Sequence, residues 1–205
     1  MKTRVASYYA AKLHEHGETA QGVDWKSEES QQLRFEQLFA LLGKERSFSV
    51  LDFGCGWGAL FERLLRDGRE PRYFGFDVSV AMVERARARY VSDRRATFTA
   101  DAAELGPVDY VLASGIFNVK LDTPDEAWRS YVLQVLDDMN RLATRGFAFN
   151  ALTLYSEPEK RRADLHYADP LALFDHCKRN YSARVALLHD YPLWEFTILV
   201  RGEEG

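Results

Sequence analysis

The chain of 205 residues carries 27 Lys and Arg against 31 Asp and Glu, a formal net charge of −4 at pH 7, with 46% hydrophobic and 28% charged residues. This composition suits one globular domain; no run approaches the ~20 apolar residues that span a bilayer, and the acidic balance gives no general pull toward nucleic acid. Met1-Lys2-Thr3-Arg4 is followed by Tyr8, Tyr9 and Lys12 without the apolar block of a secretory signal, so a cytoplasmic protein is expected, as a monomer or homodimer without membrane partners.

Residues 1–46 lack strand signals. Ser30 is placed to cap a helix running through Leu42, on which Phe35, Leu38, Phe39 and Leu42 follow the i, i+3, i+4, i+7 spacing of a buried face. Gly43 supplies the stop. Strands and helices then alternate: strand 48–53, helix 58–67, strand 72–77, a helix capped by Ser79, strand 96–99 and strand 108–113. Val80, Val83, Ala86 and Tyr90 form one stripe on the Ser79-capped helix. Thr123-Pro124-Asp125-Glu126 has the grammar of a helix start, with Thr123 as N-cap. Its helix carries Trp128, Tyr131, Val132, Val135, Met139 and Leu142 on one side. Strand 146–152 and helix 170–180 follow, and the alternation implies a parallel sheet with helices on both faces. Residues 183–189 and 193–201 are separated only by Asp190-Tyr191-Pro192. So short a link cannot cross over a sheet, which predicts an antiparallel hairpin.

The chemistry concentrates where strand 48–53 ends. Val50-Leu51-Asp52-Phe53 leads into Gly54-Cys55-Gly56-Trp57-Gly58-Ala59, and such a strand–glycine loop–helix edge lets a ligand lie against bare backbone. The loop satisfies G-x-G-x-x-G/A, and Asp77 at the end of the next strand is placed to accept both ribose hydroxyls. Together they support an adenosine-containing ligand without choosing between NAD and S-adenosylmethionine. Asp52, just before the first glycine, can hold a cationic amino group directly or through water. Asp101, after the third strand, can accept from an adenine amine. A dinucleotide enzyme also needs further strands and a substrate domain, for which no length remains, so S-adenosylmethionine is favoured. Cys55 reads as a small side chain fitting the loop rather than a reactive thiol, and its distance from Cys177 argues against a metal pair or a disulfide.

On these residues, 48–201 resemble a class I S-adenosylmethionine-dependent methyltransferase. Residues 50–58 match the family's first motif, Asp77 its ribose-binding acid, and Asp101-Ala102 its adenine-contacting pair. The resemblance implies an α/β fold: a single Rossmann-like three-layer domain over residues 47–205, with a seven-stranded sheet of order 3-2-1-4-5-7-6, strand 7 antiparallel. Residues 1–46 would add a helical lid. It further implies S-adenosylmethionine as cofactor and S-adenosylhomocysteine as product. Gly54 and Gly56 would lie under the methionine moiety, Gly58 would shape the turn, and Ser114 would line the methyl-donor end. Cys55 and Val78 complete the expected cofactor contacts. Two departures carry information. Residues 108–118 lack the Asn/Asp-Pro-Pro-Tyr/Phe signature of enzymes that methylate nucleic-acid amines. Ala113-Ser114-Gly115 and Phe149-Asn150-Ala151 stand where metal-dependent O-methyltransferases carry their ligands, so no catalytic metal is expected.

Methyl transfer from a sulfonium is an in-line displacement with a neutral leaving group, so alignment and desolvation dominate, and a base matters only if the acceptor arrives protonated. Acceptor-site candidates are Asn118 after the fourth strand, Asn150 in the fifth, and the loop pair His166-Tyr167, with His166 the leading base. His14, His16, His176 and His189 read as structural or solvated. Tyr8, Tyr9, His16, Asp24 and Trp25 form an aromatic, polar N-terminal wall suited to stacking on a substrate or a cationic centre, and Gln31 and Arg34 are within plausible reach of the methionine carboxylate. A small-molecule acceptor, methylated on O or N, is the favoured expectation, since the basic runs 85–95 and 160–162 are interrupted by acids or lie on helix faces. The alternatives are a protein or RNA methyltransferase and a non-catalytic binding or scaffold protein.

Overall fold

The alternating apolar segments pair into one sheet of seven strands, in a computed structural model that describes residues 2–23, 25 and 27–202. Its elements are α1 (Lys2–His16), α2 (Glu28–Phe39), β1 (Ser49–Phe53), α3 (Ala59–Arg66), β2 (Arg72–Phe76), α4 (Val80–Arg89), β3 (Ala96–Thr99), β4 (Val108–Ala113), α5 (Asp125–Leu142), β5 (Ala143–Leu152), α6 (Pro170–Asn180), β6 (Arg184–Leu188) and β7 (Glu195–Arg201). The strand order is β3-β2-β1-β4-β5-β7-β6. β1 pairs in parallel with β2 and β4, whereas β7 runs antiparallel to β5 and β6. This is the topology that the terminal hairpin and the family resemblance lead one to expect.

Period-two burial along the strands divides the core into two layers. Leu51, Val111, Phe149 and Ile198 face α5 and α6, where Trp128, Met139 and Cys177 pack against them. Val50, Tyr73, Leu112 and Leu199 face the other layer, built from Phe35 and Leu38 of α2, Leu60 and Phe61 of α3, and Val83 of α4. The aromatic stripe of α2 therefore belongs to the main core.

Several boundaries differ from the sequence reading. Ser27, not Ser30, caps α2: its side chain accepts from the Ser30 amide at 3.2 Å, while Ser30 Oγ accepts from the Ser27 amide at 3.4 Å. Ser30 thus closes a capping box from the first turn, and α2 ends at Phe39 with Leu41 and Leu42 buried in the turn beyond. Thr123 does not cap α5: Pro124 occupies the cap position with no side-chain bond, and Asp125 and Glu126 in the first turn complement the helix dipole. β5 starts at Ala143, three residues before Gly146, because its pairing with β4 begins at Val108 and continues past an irregularity. Helix α1 falls within the segment expected as a helical lid, where no separate helix bounds were read; its polar faces obscure the period, and Val5 packs against the core.

Candidate cofactor and acceptor site

A cavity lies beyond the carboxyl ends of β1, β2 and β4, at the point where connections from β1 and β4 diverge to opposite sides of the sheet. Its floor is the glycine loop. The Gly54 and Cys55 amides donate to the Phe76 carbonyl at 2.7 and 2.9 Å, so the loop is tied to the end of β2. Gly58 ends the loop as N-cap of α3 with φ 90°, a conformation that disfavours side chains. A Cβ there would also lie 2.7 Å from the Tyr90 ring.

Asp77 joins the same framework. Its Oδ2 accepts from the Gly56 amide at 2.9 Å and its Oδ1 from the Ser79 amide at 2.8 Å. Burial raises its pKa above the usual carboxylate value, against the lowering by those two amides. Each oxygen keeps a lone pair for a ligand hydroxyl. Asp52 is only 2% exposed and accepts from the Tyr73 hydroxyl at 2.6 Å. Burial pushes its pKa up to about 7, with the Asp77 charge adding to the rise and the Tyr73 hydrogen bond opposing it. Among the described residues, no Lys, Arg or His lines this cavity. Two carboxylates with no cation favour a positively charged ligand and oppose the pyrophosphate of a dinucleotide. The residues therefore fit a ligand that joins a ribose to a sulfonium and an ammonium group.

The other expected cofactor contacts divide. Val78 and Ser114 line the cavity, as do Gly54, Cys55 and Gly56. Burial pushes the Cys55 thiol well up, so it behaves as a small packing group. A smaller recess shares Phe53, Phe76, Val78 and Tyr131 with the cavity, and Ala102 lines it. Asp101 is turned elsewhere: it is exposed, and its Oδ1 caps the short turn Ala102–Glu104 by accepting from the Ala103 amide at 2.9 Å.

A second cavity of about 360 Å³ opens toward the surface and shares Tyr9, Val23, Trp25 and Gly115 with the first. Trp25 forms the partition. It packs so closely on Gly115 that a Cβ there would lie 2.3 Å from the indole, and the Arg34 guanidinium stacks 3.8 Å from its ring. Arg34 is held in turn by Glu195, at 2.8 Å through Nε and 2.5 Å through Nη2, with both side chains buried. Arg34 is thus committed to Glu195 and does not line the cofactor cavity, whereas Gln31 does.

The acceptor candidates are also sorted by these two cavities. Asn118 and Tyr167 line the outer chamber. Asn150 is fully buried beneath the site: its Oδ1 accepts from the Gly115 amide at 2.8 Å and its Nδ2 donates to Ser114 Oγ at 3.4 Å. Leu165 and Tyr167 face the chamber, but His166 between them does not line it. Its ring lies 3.9 Å from Asp125, as expected where an extended segment alternates its side chains. Burial also lowers its pKa. Tyr8 lines neither cavity and packs edge-on against Tyr9 at 5.3 Å. His16 sits 3.5 Å from Glu15, and Asp24 lies outside the described residues.

The sequence reading missed Trp57, Tyr131 and Glu195. Glu195 left a signal, a lone acid opening an apolar strand. Tyr131 sat within a helical apolar stripe and was indistinguishable from core.

Comparison with known proteins agrees with this geometry. Residues 51–145 match the family described as methyltransferase domain. The chain is 51% identical over 154 residues to the Mycobacterium tuberculosis protein named "Putative methyltransferase Rv1506c", covering 75% of this chain and 93% of that one. Magnesium protoporphyrin IX methyltransferase from Synechocystis PCC 6803, solved with bound SAM, superposes with a TM-score of 0.66 at 19% identity, covering 98% of this chain and 97% of that chain. DhpI, solved as its SAH complex, gives a TM-score of 0.62 at 17% identity, covering 97% and 96%. These structures share the fold. With the strand order, the loop and the paired carboxylates, these matches make this chain a member of the class I S-adenosylmethionine-dependent methyltransferases.

Proposed function

We propose that the protein methylates a small molecule on oxygen or nitrogen, in the cytoplasm and without a metal, with the outer chamber as the acceptor site. The observation that carries this reading is the shared wall: a chamber of about 360 Å³ meets the cofactor cavity at Tyr9, Val23, Trp25 and Gly115. That size falls in the range of small-molecule pockets, roughly 300–1,000 Å³. Aliphatic and aromatic side chains from Val119, Leu152, Leu165, Tyr167, Leu193 and Trp194 line it, which favours an acceptor with an apolar or ring-bearing body. The cations at its wall each have an acid partner, Arg34 with Glu195, Lys160 with Glu157 and Arg162 with Asp164, which argues against a tract for a polyanion.

When bound, the cofactor supplies an electrophilic methyl group on a sulfonium. The chain's own residues align and desolvate. Asp77, held by the Gly56 and Ser79 amides, would fix the ribose end, and Asp52 would hold the amine. Asn150 holds Ser114 and Gly115 from beneath, so the floor between the two cavities is rigid. Trp25 and Tyr9, from the segment ahead of α2 acting as a lid, exclude water there. Support for metal-independent transfer comes from the side chains themselves: among the described residues, no three His, Cys, Asp or Glu converge. No described helix is long and apolar enough to cross a membrane.

The test is to incubate the protein with methyl-tritiated S-adenosylmethionine and cell extract, then separate small molecules from macromolecules. Label in the small-molecule fraction is expected. Label confined to RNA or protein, or saturable RNA binding with a steep salt slope, would overturn the reading.

A further inference from the structure

The turn that follows β4 is stapled to β5 by two side-chain amides. Asn150 of β5 accepts from the Gly115 amide at 2.8 Å, and Asn118 of the turn accepts from the Leu152 amide at 3.0 Å. The Asn118 backbone is fixed as well: its N–H donates to the Gly115 carbonyl at 3.3 Å, and its carbonyl accepts from the His166 amide at 2.8 Å. The two side chains differ at their nitrogens. Asn150 Nδ2 donates to Ser114 Oγ at 3.4 Å, whereas Asn118 Nδ2 makes no hydrogen bond to a described residue.

The orientation of the Asn118 amide follows from its partner. A backbone N–H only donates, so the side-chain oxygen is the atom that meets Leu152 and the nitrogen is turned away from it. Asn118 is 5% exposed and lines the outer chamber. Trp57 Nε1 is unpartnered and wholly covered, whereas the unpartnered Asn118 Nδ2 keeps accessible surface. Gly115, to which the Asn118 backbone bonds, lines both cavities, so this donor stands one turn from their junction. The fold uses only the oxygen of this amide, since an aspartate oxygen would serve the Leu152 N–H as well. The nitrogen is therefore spare, and a nearly buried amide donor is satisfied by a ligand lone pair. Neighbouring polar groups on the wall are engaged elsewhere: Arg34 with Glu195, Lys160 with Glu157, and Ser156 Oγ with the Thr153 carbonyl.

We infer that Asn118 Nδ2 is a specificity-determining donor of the outer chamber, binding an oxygen that the methyl acceptor carries close to the atom methylated. The inference rests on the reading of this chamber as the acceptor site and narrows it to oxygen-bearing molecules. A carbonyl, hydroxyl or carboxylate offers the lone pair this donor needs, and a carboxylate does so most strongly because its charge assists the bond. An ammonium group, which only donates, finds no match there.

The test titrates the S-adenosylhomocysteine-loaded protein at pH 8 with two probes, benzoate, whose ring carries oxygen acceptors, and benzylamine, a ring of similar size whose ammonium only donates. In isotopically labelled unmodified protein, benzoate is expected to shift the Asn118 side-chain NH2 resonance in the NMR spectrum, and benzylamine to leave it in place. Asn118→Asp keeps an oxygen for the Leu152 amide and replaces the donor by an acceptor. It should weaken benzoate binding about tenfold, the low end for a hydrogen bond to a charged group, without weakening benzylamine. Its affinity for S-adenosylhomocysteine should stay within about twofold of the unmodified protein, because Asn118 does not line the cofactor cavity. Should the variant fail to fold, the resonance shift in the unmodified protein decides alone. An Asn118 resonance that stays in place at tens of millimolar benzoate, or equal losses of both probes in the variant, would overturn the inference. Label from methyl-tritiated S-adenosylmethionine confined to RNA or protein would instead overturn the small-molecule reading beneath it.

Discussion

Replacing Asp52 by Asn keeps the shape of the side chain and removes the charge that the cofactor's amine is expected to meet. In the free protein this carboxyl titrates near about 7, because burial outweighs the 2.6 Å hydrogen bond from Tyr73. Facing the group are Tyr73 from β2, Asp77 just past its end and the Cys55 thiol from the loop, and no described cation lines the cavity. If the amine binds the ionised form, about one-tenth of the protein is competent at pH 6 and more than about nine-tenths at pH 8, so affinity should rise roughly tenfold over that interval. Calorimetry with S-adenosylhomocysteine in buffers of different ionisation enthalpy should register proton release near pH 7. The Asn variant should bind about tenfold more weakly at pH 8 and lose the pH slope. Stability should move in the opposite sense. A folded-state pKa above the unfolded value contributes stability that is fully present below the unfolded carboxylate range and is lost as pH rises through about 7. Asp52→Asn should therefore melt higher than the unmodified protein at pH 8 without ligand. A pH-independent affinity in the unmodified protein, or a slope that persists in the variant, would refute the assignment.

Three further outcomes are expected. Asp77→Ala, which removes the acceptors for the Gly56 and Ser79 amides, should weaken cofactor binding at least about tenfold by calorimetry. Glu195→Gln leaves the buried Arg34 charge without its partner, a cost of about 3–5 kcal/mol that should lower the melting temperature on the order of 10 °C; the double variant Arg34→Met/Glu195→Leu should recover part of it in the same melting assay. Cys55, buried with its thiol pushed well up, should resist alkylation at neutral pH in intact-mass measurements, and Cys55→Ala should retain cofactor affinity.

Where the sequence was legible, one periodic signal or one short motif carried the information. The 54–58 loop, Asp77 and the three-residue link at 190–192 led to the sheet order and the donor half of the site. Element ends were less legible: Ser27 and Ser30 are equivalent as letters, and only the geometry of the first turn makes one the cap. His166 shows the limit for the acceptor half, because a one-residue alternation sends Leu165 and Tyr167 to the chamber and the histidine toward Asp125. Asn150 looked equally suited to substrate contact and to a structural bond, and only its bonds to Ser114 and Gly115 place it beneath the floor. The Arg34–Glu195 pair joins residues 161 positions apart, a coupling that no local pattern encodes.

Calorimetry of the unmodified protein with S-adenosylmethionine, run beside NAD, tests the central claim most directly. The paired carboxylates and the cation-free wall predict saturable binding of one S-adenosylmethionine per chain and far weaker binding of NAD. No S-adenosylmethionine binding at millimolar concentration, or tighter binding of NAD, would contradict it.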